Sequence, residues 1–142
     1  MNIRQPYQAK SAFLSVFLTL LMVWCWQTAA VAQVIKTIDP REAAGLIQQE
    51  QENADFVILD LRTPPEFQQG RLQQAVLLDY YSKTFVDNLK QLDKNKIYLV
   101  YCRSGNRSGR ALSIFEQLGF TRVYNMADGI NGWIRAGLPV IR

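Results

Sequence analysis

The stretch from Ile97 to Leu118 limits this chain's possible folds more than any other. Ile97–Tyr101 (IYLVY) is apolar without interruption, the pattern of a strand covered on both faces. CRSGNRSGR follows, and from Arg107 to Leu118 apolar positions at Ala111, Ile114, Phe115 and Leu118 fall on one helical face before Gly119 closes the turn. A strand, a short polar loop with glycine and a helix belong to layered α/β architecture. The same order places Cys102 where backbone N–H groups and a helix N-terminus converge. Such a place binds anions and lowers a thiol pKa, so Cys102 reads as a nucleophile rather than a core filler.

The flanking sequence repeats the alternation. Val34–Ile38 predicts a first strand. Asp39-Pro40-Arg41-Glu42 predicts a helix start, with Asp as N-cap, Pro at the first helical position and Glu completing a capping box. That helix is expected to run to about Gln51 and to bury Ala43, Leu46 and Ile47. Phe56–Leu59 is a strand ending at Asp60. Thr63-Pro64-Pro65 turns into a short helical piece, Glu66–Gln69, closed by Gly70. Ala75–Leu78 is a further strand, and Ser82 caps a helix carrying Phe85, Leu89 and Leu92. Val123–Asn125 is the last strand and Gly129–Ala136 the last helix, stopped by Gly137 and Pro139. The expected class is α/β, a mostly parallel sheet flanked by helices. In such sheets ligands bind beyond the carboxyl ends of the strands, where Cys102 lies.

The first 32 residues read differently. Met1–Lys10 carries Arg4 and Lys10 and no acid, Ala12–Trp26 is almost wholly apolar, and Ala30-Val31-Ala32 is a small-residue cleavage signal. This is the order of a secretory signal peptide cut after Ala32. The apolar run falls short of the ~20 residues a spanning helix needs; an uncleaved membrane tether is the alternative. Trp24 is too bulky before Cys25 for lipoprotein processing. Cleavage would leave Gln33–Arg142, the length of one domain. It would put the domain in the periplasm or outside the cell, with no stable membrane association.

Charge and rare residues narrow the chemistry. The formal net charge is +4, and loss of Arg4 and Lys10 with the leader reduces it to +2. No basic run is interleaved with aromatics, so nucleic acid is not an expected partner. Of two cysteines, Cys25 lies in the leader, which leaves Cys102 without an internal disulfide partner. The chain has no histidine. Within one chain that excludes a Cys–His dyad, a Ser–His–Asp triad and histidine metal sites. Activation of Cys102 must come from its own loop.

Four motifs then stand in order: DLR at Asp60–Arg62, EFQQG at Glu66–Gly70, VYCRSGNRS at Val100–Ser108, and DGINGW at Asp128–Trp133 followed by AGLPV at Ala136–Val140. Together, from about Thr37 to Arg142, they resemble the single-domain rhodaneses, the thiosulfate sulfurtransferase-like family. The resemblance implies a rhodanese-like fold, a central five-stranded mostly parallel sheet with helices on both faces. It also implies sulfur transfer through a persulfide on Cys102. The donor would be thiosulfate or a similar compound, and the acceptor cyanide or a thiol. No cofactor and no metal is implied. Two positions depart from the family pattern: Arg71 stands where a histidine is usual, and Asp128 stands where a glycine is usual, adding a carboxylate near an anion site.

On this reading Arg103, Ser104, Gly105, Asn106, Arg107 and Ser108 form the substrate cradle. Gly105 permits the tight backbone path, Arg103 and Arg107 add charge, and Ser104 and Ser108 donate to sulfur or cap the helix. Arg107, in the loop's last position, is the leading cationic contact. Asp60 braces the loop, Arg62 and Glu66 form an ion pair supporting it, and Trp133 is core. The architecture also resembles that of dual-specificity phosphatases and arsenate reductases, which carry Cys-x5-Arg. Here Cys-x4 leads to Arg107, and the shorter loop favours a sulfur atom. A non-enzymatic persulfide relay or binding module would need the same residues.

Overall fold

The chain's structure, a computed structural model, describes residues 32–142. Apart from Ala32, the expected leader lies outside the described residues, as does the tether alternative. Among the described residues no helix is long and apolar enough to cross a membrane.

Each expected strand is present: β1 (Val34–Ile38), β2 (Phe56–Asp60), β3 (Val76–Leu77), β4 (Ile97–Tyr101) and β5 (Arg122–Met126). They form one five-stranded sheet in the order β1-β5-β4-β2-β3, parallel throughout. The antiparallel contact between Arg71 and Ile141 is an isolated bridge outside the strands. The helices are α1 (Pro40–Gln49), α2 (Pro64–Gln68), α3 (Phe85–Lys90), α4 (Asn106–Gln117) and α5 (Gly129–Arg135).

Local chemistry explains the helix starts. Asp39 Oδ1 accepts from the N–H of Arg41 (2.7 Å) and of Glu42 (3.0 Å), while Glu42 Oε2 accepts from the Asp39 N–H (2.9 Å). That is the expected capping box, and α1 ends two residues before Gln51. The same device opens α2, where the N–H and the hydroxyl of Thr63 both donate to Glu66 Oε2. α2 therefore starts at Pro64 rather than Glu66. Proline's fixed φ suits a first helical turn, so the proline pair begins the helix instead of preceding it. α3 begins later than the Ser82 cap implied: Ser82 Oγ accepts from the Thr84 N–H (3.2 Å), and Leu92 lies beyond the helix end.

Alternation along β4 divides the core. Tyr98, Val100 and Cys102 join Phe85 and Leu89 of α3 and Ala111 and Phe115 of α4. Leu99 and Tyr101 join Ala43 of α1 and Ile130 and Trp133 of α5. Successive side chains of a strand face opposite sides, so β4 is apolar throughout because helices cover both. Each fully buried large side chain contributes about 1.5–3 kcal/mol. Trp133 is core as expected, with its indole N–H donating to the Pro139 carbonyl (2.8 Å).

The topology also locates the site. After β2 the chain moves outward to β3, and after β4 it moves the other way to β5. The carboxyl ends of β2 and β4 are adjacent, with Asp60 paired to Tyr101. Loops leaving neighbouring strands in opposite directions open a crevice, and it lies between Asp60–Glu66 and the Cys102 loop.

Candidate active site

Cys102 continues the even-numbered face of β4 and so turns towards α4. It is 1% exposed and is the free cysteine among the described residues. Residues 102–105 then bend sharply. Gly105 has φ +81° and caps α4, and a Cβ there would lie 2.9 Å from the Asp128 backbone nitrogen. Both the left-handed backbone and the close approach favour glycine.

The bend turns the start of α4 onto the sulfur. Ser108 Oγ donates to Cys102 Sγ at 3.4 Å. Burial by itself pushes the Cys102 thiol up; the Ser108 hydroxyl and the backbone N–H groups of Ser108, Ser104 and Arg107 outweigh it and hold the thiol below its ordinary value. A helix N-terminus reinforces the effect by roughly 0.3–1 kcal/mol when exposed and up to ~2 kcal/mol when partly buried. Loop and helix thus supply, without histidine, what a thiolate requires.

α5 fastens the other side of the loop. The N–H of Ile130 donates to the Cys102 carbonyl (2.8 Å) and that of Asn131 to the Arg103 carbonyl (3.1 Å). Gly129, at φ +53°, lies so close that a Cβ would overlap the Cys102 carbonyl oxygen. Sequence reasoning placed DGINGW in a family pattern but missed this clamp on the Cys102 backbone. The available signal was the Asp128-Gly129 pair directly after a strand.

The charged residues pair differently from expectation. Arg62 does not pair with Glu66. It grips Asp60 through Nε (2.9 and 3.0 Å) and Nη2 (2.6 Å), and Nη2 also donates to the Gly70 carbonyl (2.7 Å). Asp60 is fully buried and Arg62 nearly so, and the guanidinium lies 5.6 Å from the centre of the Tyr101 ring. Asp60 Oδ1 also accepts the Arg62 N–H (2.9 Å), bracing the turn after β2. Glu66, the third residue of α2, instead faces α4 and binds Arg107 in bidentate fashion (2.8 and 2.7 Å). Arg107, together with Thr63, holds the Glu66 carboxyl down at about 2. Arg107 is thus neutralised where a free cradle cation was expected, although its charge still acts on Cys102. Its guanidinium also lies 5.5 Å from the centre of the exposed Tyr81 ring.

Arg103 is the opposite case. It is exposed, makes no ion pair among the described residues, and lines a pocket of ≈ 290 Å³ with Arg62, Glu66, Ile130, Ile134 and Val140. Ser104 and Asn106 are exposed at the loop rim, and Ser108 is fully buried against the sulfur. The two departures lie at the periphery. Arg71 packs on the Phe67 ring at 4.8 Å and pairs its backbone with Ile141. The Asp128 carboxylate is bound to Arg135 at 2.7 Å on the surface, outside the pocket lining.

Comparison with known proteins agrees with this geometry. Residues 40–136 match the family model described as Rhodanese-like domain. The chain is 33% identical over 100 residues to a protein named sulfurtransferase from Allochromatium vinosum, covering 70% of this chain and 92% of that protein. It is 31% identical over 103 residues to the thiosulfate sulfurtransferase GlpE of Glaesserella parasuis, covering 72% and 90%. Among solved structures, a rhodanese-related protein from Thermoplasma volcanium superposes with a TM-score of 0.62 at 27% identity, covering 75% of this chain and 97% of that one.

Proposed function

Since the chain belongs to the rhodanese-like domain family, we propose that it is a thiosulfate sulfurtransferase whose nucleophile is Cys102. The observation that carries the reading is a buried thiol held below its ordinary value by Ser108 and the N–H groups at the start of α4. The Cys102 thiolate attacks the outer sulfur of thiosulfate. A bond forms between the two sulfurs, the donor's S–S bond breaks, and sulfite leaves with the electron pair. The product is a Cys102 persulfide. An acceptor, cyanide or a thiol, then attacks the outer sulfur, and the electron pair of the Cys102–sulfur bond returns to Cys102. Covalent catalysis of this kind needs a thiolate and a cradle for anionic sulfur, and no general base. Ser108 stands where a Cys-x5-Arg loop has its arginine, and Arg107 is occupied by Glu66. The arrangement therefore favours sulfur over phosphate. With the leader removed after Ala32, the reaction runs in the periplasm or outside the cell; a mature N-terminus at Met1 in a membrane fraction would overturn the cleavage and make the domain membrane-tethered.

The test is mass spectrometry of the purified protein mixed with thiosulfate, beside Cys102→Ser. The wild type is expected to gain one sulfur atom on Cys102 and to show thiosulfate:cyanide activity without hydrolysing para-nitrophenyl phosphate. No adduct on the wild type, or an equal adduct on the variant, overturns the proposal.

A further inference from the structure

We propose that Glu66 is a specificity-determining residue: by cancelling the charge of Arg107 it weights the Cys102 site towards sulfane donors of single negative charge, the organic thiosulfonates (R–SO2–S⁻), over the dianion thiosulfate. This rests on the sulfurtransferase reading and adds the donor's charge class and the residue that sets it.

Arg107 belongs to the surroundings of the nucleophile. Its backbone N–H is one of the groups that stabilise the Cys102 thiolate, and its guanidinium and the thiolate attract one another. A donor brings its own negative charge to the same place, and a free Arg107 would attract that charge too. Arg107 is not free. Both of its Nη groups donate to Glu66, at 2.8 and 2.7 Å, and the guanidinium lies 5.5 Å from the centre of the Tyr81 ring. The paired side chains are only 14% and 23% exposed, so solvent screens them less than a surface pair. With the Glu66 carboxyl held down at about 2, the pair stays closed wherever a thiolate forms.

The pairing is not a by-product of helix capping. The N–H and the hydroxyl of Thr63 both donate to Glu66 Oε2, a task that glutamine performs equally well in a capping box. Glutamine lacks the negative charge and the second carboxylate oxygen, Oε1, which accepts from Arg107. The acid is therefore required by Arg107 rather than by α2. Cancelling one positive charge costs a donor in proportion to the charge it carries, so a dianion loses more than a monoanion.

Methanethiosulfonate isolates that difference, having a methyl group where thiosulfate has an anionic oxygen. The Cys102 thiolate attacks its outer sulfur, the S–S bond breaks, and methanesulfinate leaves with the electron pair, as sulfite leaves thiosulfate. Both donors give the same Cys102 persulfide, and no proton, external oxidant or reductant is consumed.

The experiment follows persulfide formation on the purified protein by mass spectrometry with each donor and takes the thiosulfate-to-methanethiosulfonate rate ratio within each variant. That ratio is independent of the folded fraction and of the thiolate fraction. Glu66→Gln should raise it about fivefold, the upper end for an exposed ion pair. Arg107→Gln leaves Glu66 uncancelled and should lower it about fivefold. The double variant is neutral again and should return to the wild-type ratio. Raised salt should draw the four ratios together. A ratio unmoved by Glu66→Gln, or shifts of the same sign in the two single variants, overturns the role of Glu66 while leaving the persulfide chemistry intact. Failure to form a persulfide with either donor overturns both readings.

Discussion

Ser108→Ala tests the activation of Cys102 most directly. Ser108 is fully buried, and its hydroxyl donates to Cys102 Sγ at 3.4 Å. Alanine fills nearly the same space, so the fold is expected to persist. A hydrogen bond to a charged group is worth ~1.5–3 kcal/mol. This one is long and shares the sulfur with three backbone donors, so the lower end applies. About 1.4 kcal/mol is a tenfold change in equilibrium, and the variant should hold about one tenth of the wild-type thiolate wherever most of the thiol is protonated. A more basic thiolate is also a better nucleophile, with a Brønsted slope of about 0.4–0.5, which restores roughly threefold. Persulfide formation should therefore be about three- to fourfold slower than wild type at low pH and about threefold faster where both thiols are fully ionised. The rate is measured with thiosulfate from about pH 5 to about pH 10, with the thiolate followed independently by ultraviolet absorbance. The crossing of the two pH profiles is the signature. A uniform loss at every pH would assign Ser108 to folding or positioning, and superimposed profiles would assign activation to the backbone N–H groups alone.

Two other substitutions probe the scaffold. Glu66 is held down at about 2 when folded, against ~4.3 in an unfolded chain, so its contribution to stability is present above the unfolded value and lost as pH falls towards 2. Glu66→Gln should lower wild-type stability by about 1 kcal/mol at neutral pH, and the urea midpoints of the two proteins should converge on acidification; a constant gap across pH would show that the ion pair is not the cause. Gly129→Ala should cost about 2–4 kcal/mol, because it combines a left-handed backbone with overlap on the Cys102 carbonyl. Gly119→Ala, at φ +82° with nothing within 4 Å of its Cβ, should cost only about 1 kcal/mol; equal losses in thermal melts would refute the steric argument.

The strands were legible because parallel strands covered on both faces leave runs such as IYLVY and FVIL, which few other elements tolerate. The helix starts were legible where a side chain caps its own backbone, as Asp39 and Glu42 do. Legibility failed where the same local signal has two uses. Pro64-Pro65 breaks a helix from within yet begins one from the front, and the sequence reading chose a turn. Cys102, Gly105 and Ser108 could be read as one group because loop, helix cap and cysteine are contiguous in sequence. The α5 clamp was not found because Gly129 and Ile130 reach Cys102 from beyond the next strand, and no local pattern records that distance.

The charge partners were the hardest to read, and they change the site most. Arg62 and Glu66 are four residues apart, a spacing that suggests a helical ion pair. Arg62, however, precedes α2. Its backbone N–H turns back onto Asp60, and its guanidinium follows the same carboxylate. Glu66 is then left without Arg62, and as the third residue of α2 it meets Arg107 across the crevice. Breaking the first pair would leave a buried, uncompensated Asp60, a loss of about 3–5 kcal/mol, so that pairing is held by burial. Once Asp60 holds Arg62 and Glu66 holds Arg107, Arg103 is left as the lining cation without an ion pair among the described residues in the pocket beside the 103–108 loop. Asp60, Arg62, Glu66 and Arg107, read in sequence as a brace, an Arg62–Glu66 ion pair and a cradle cation, thus become two closed pairs, and the net charge a ligand meets is set by which arginine remains outside them.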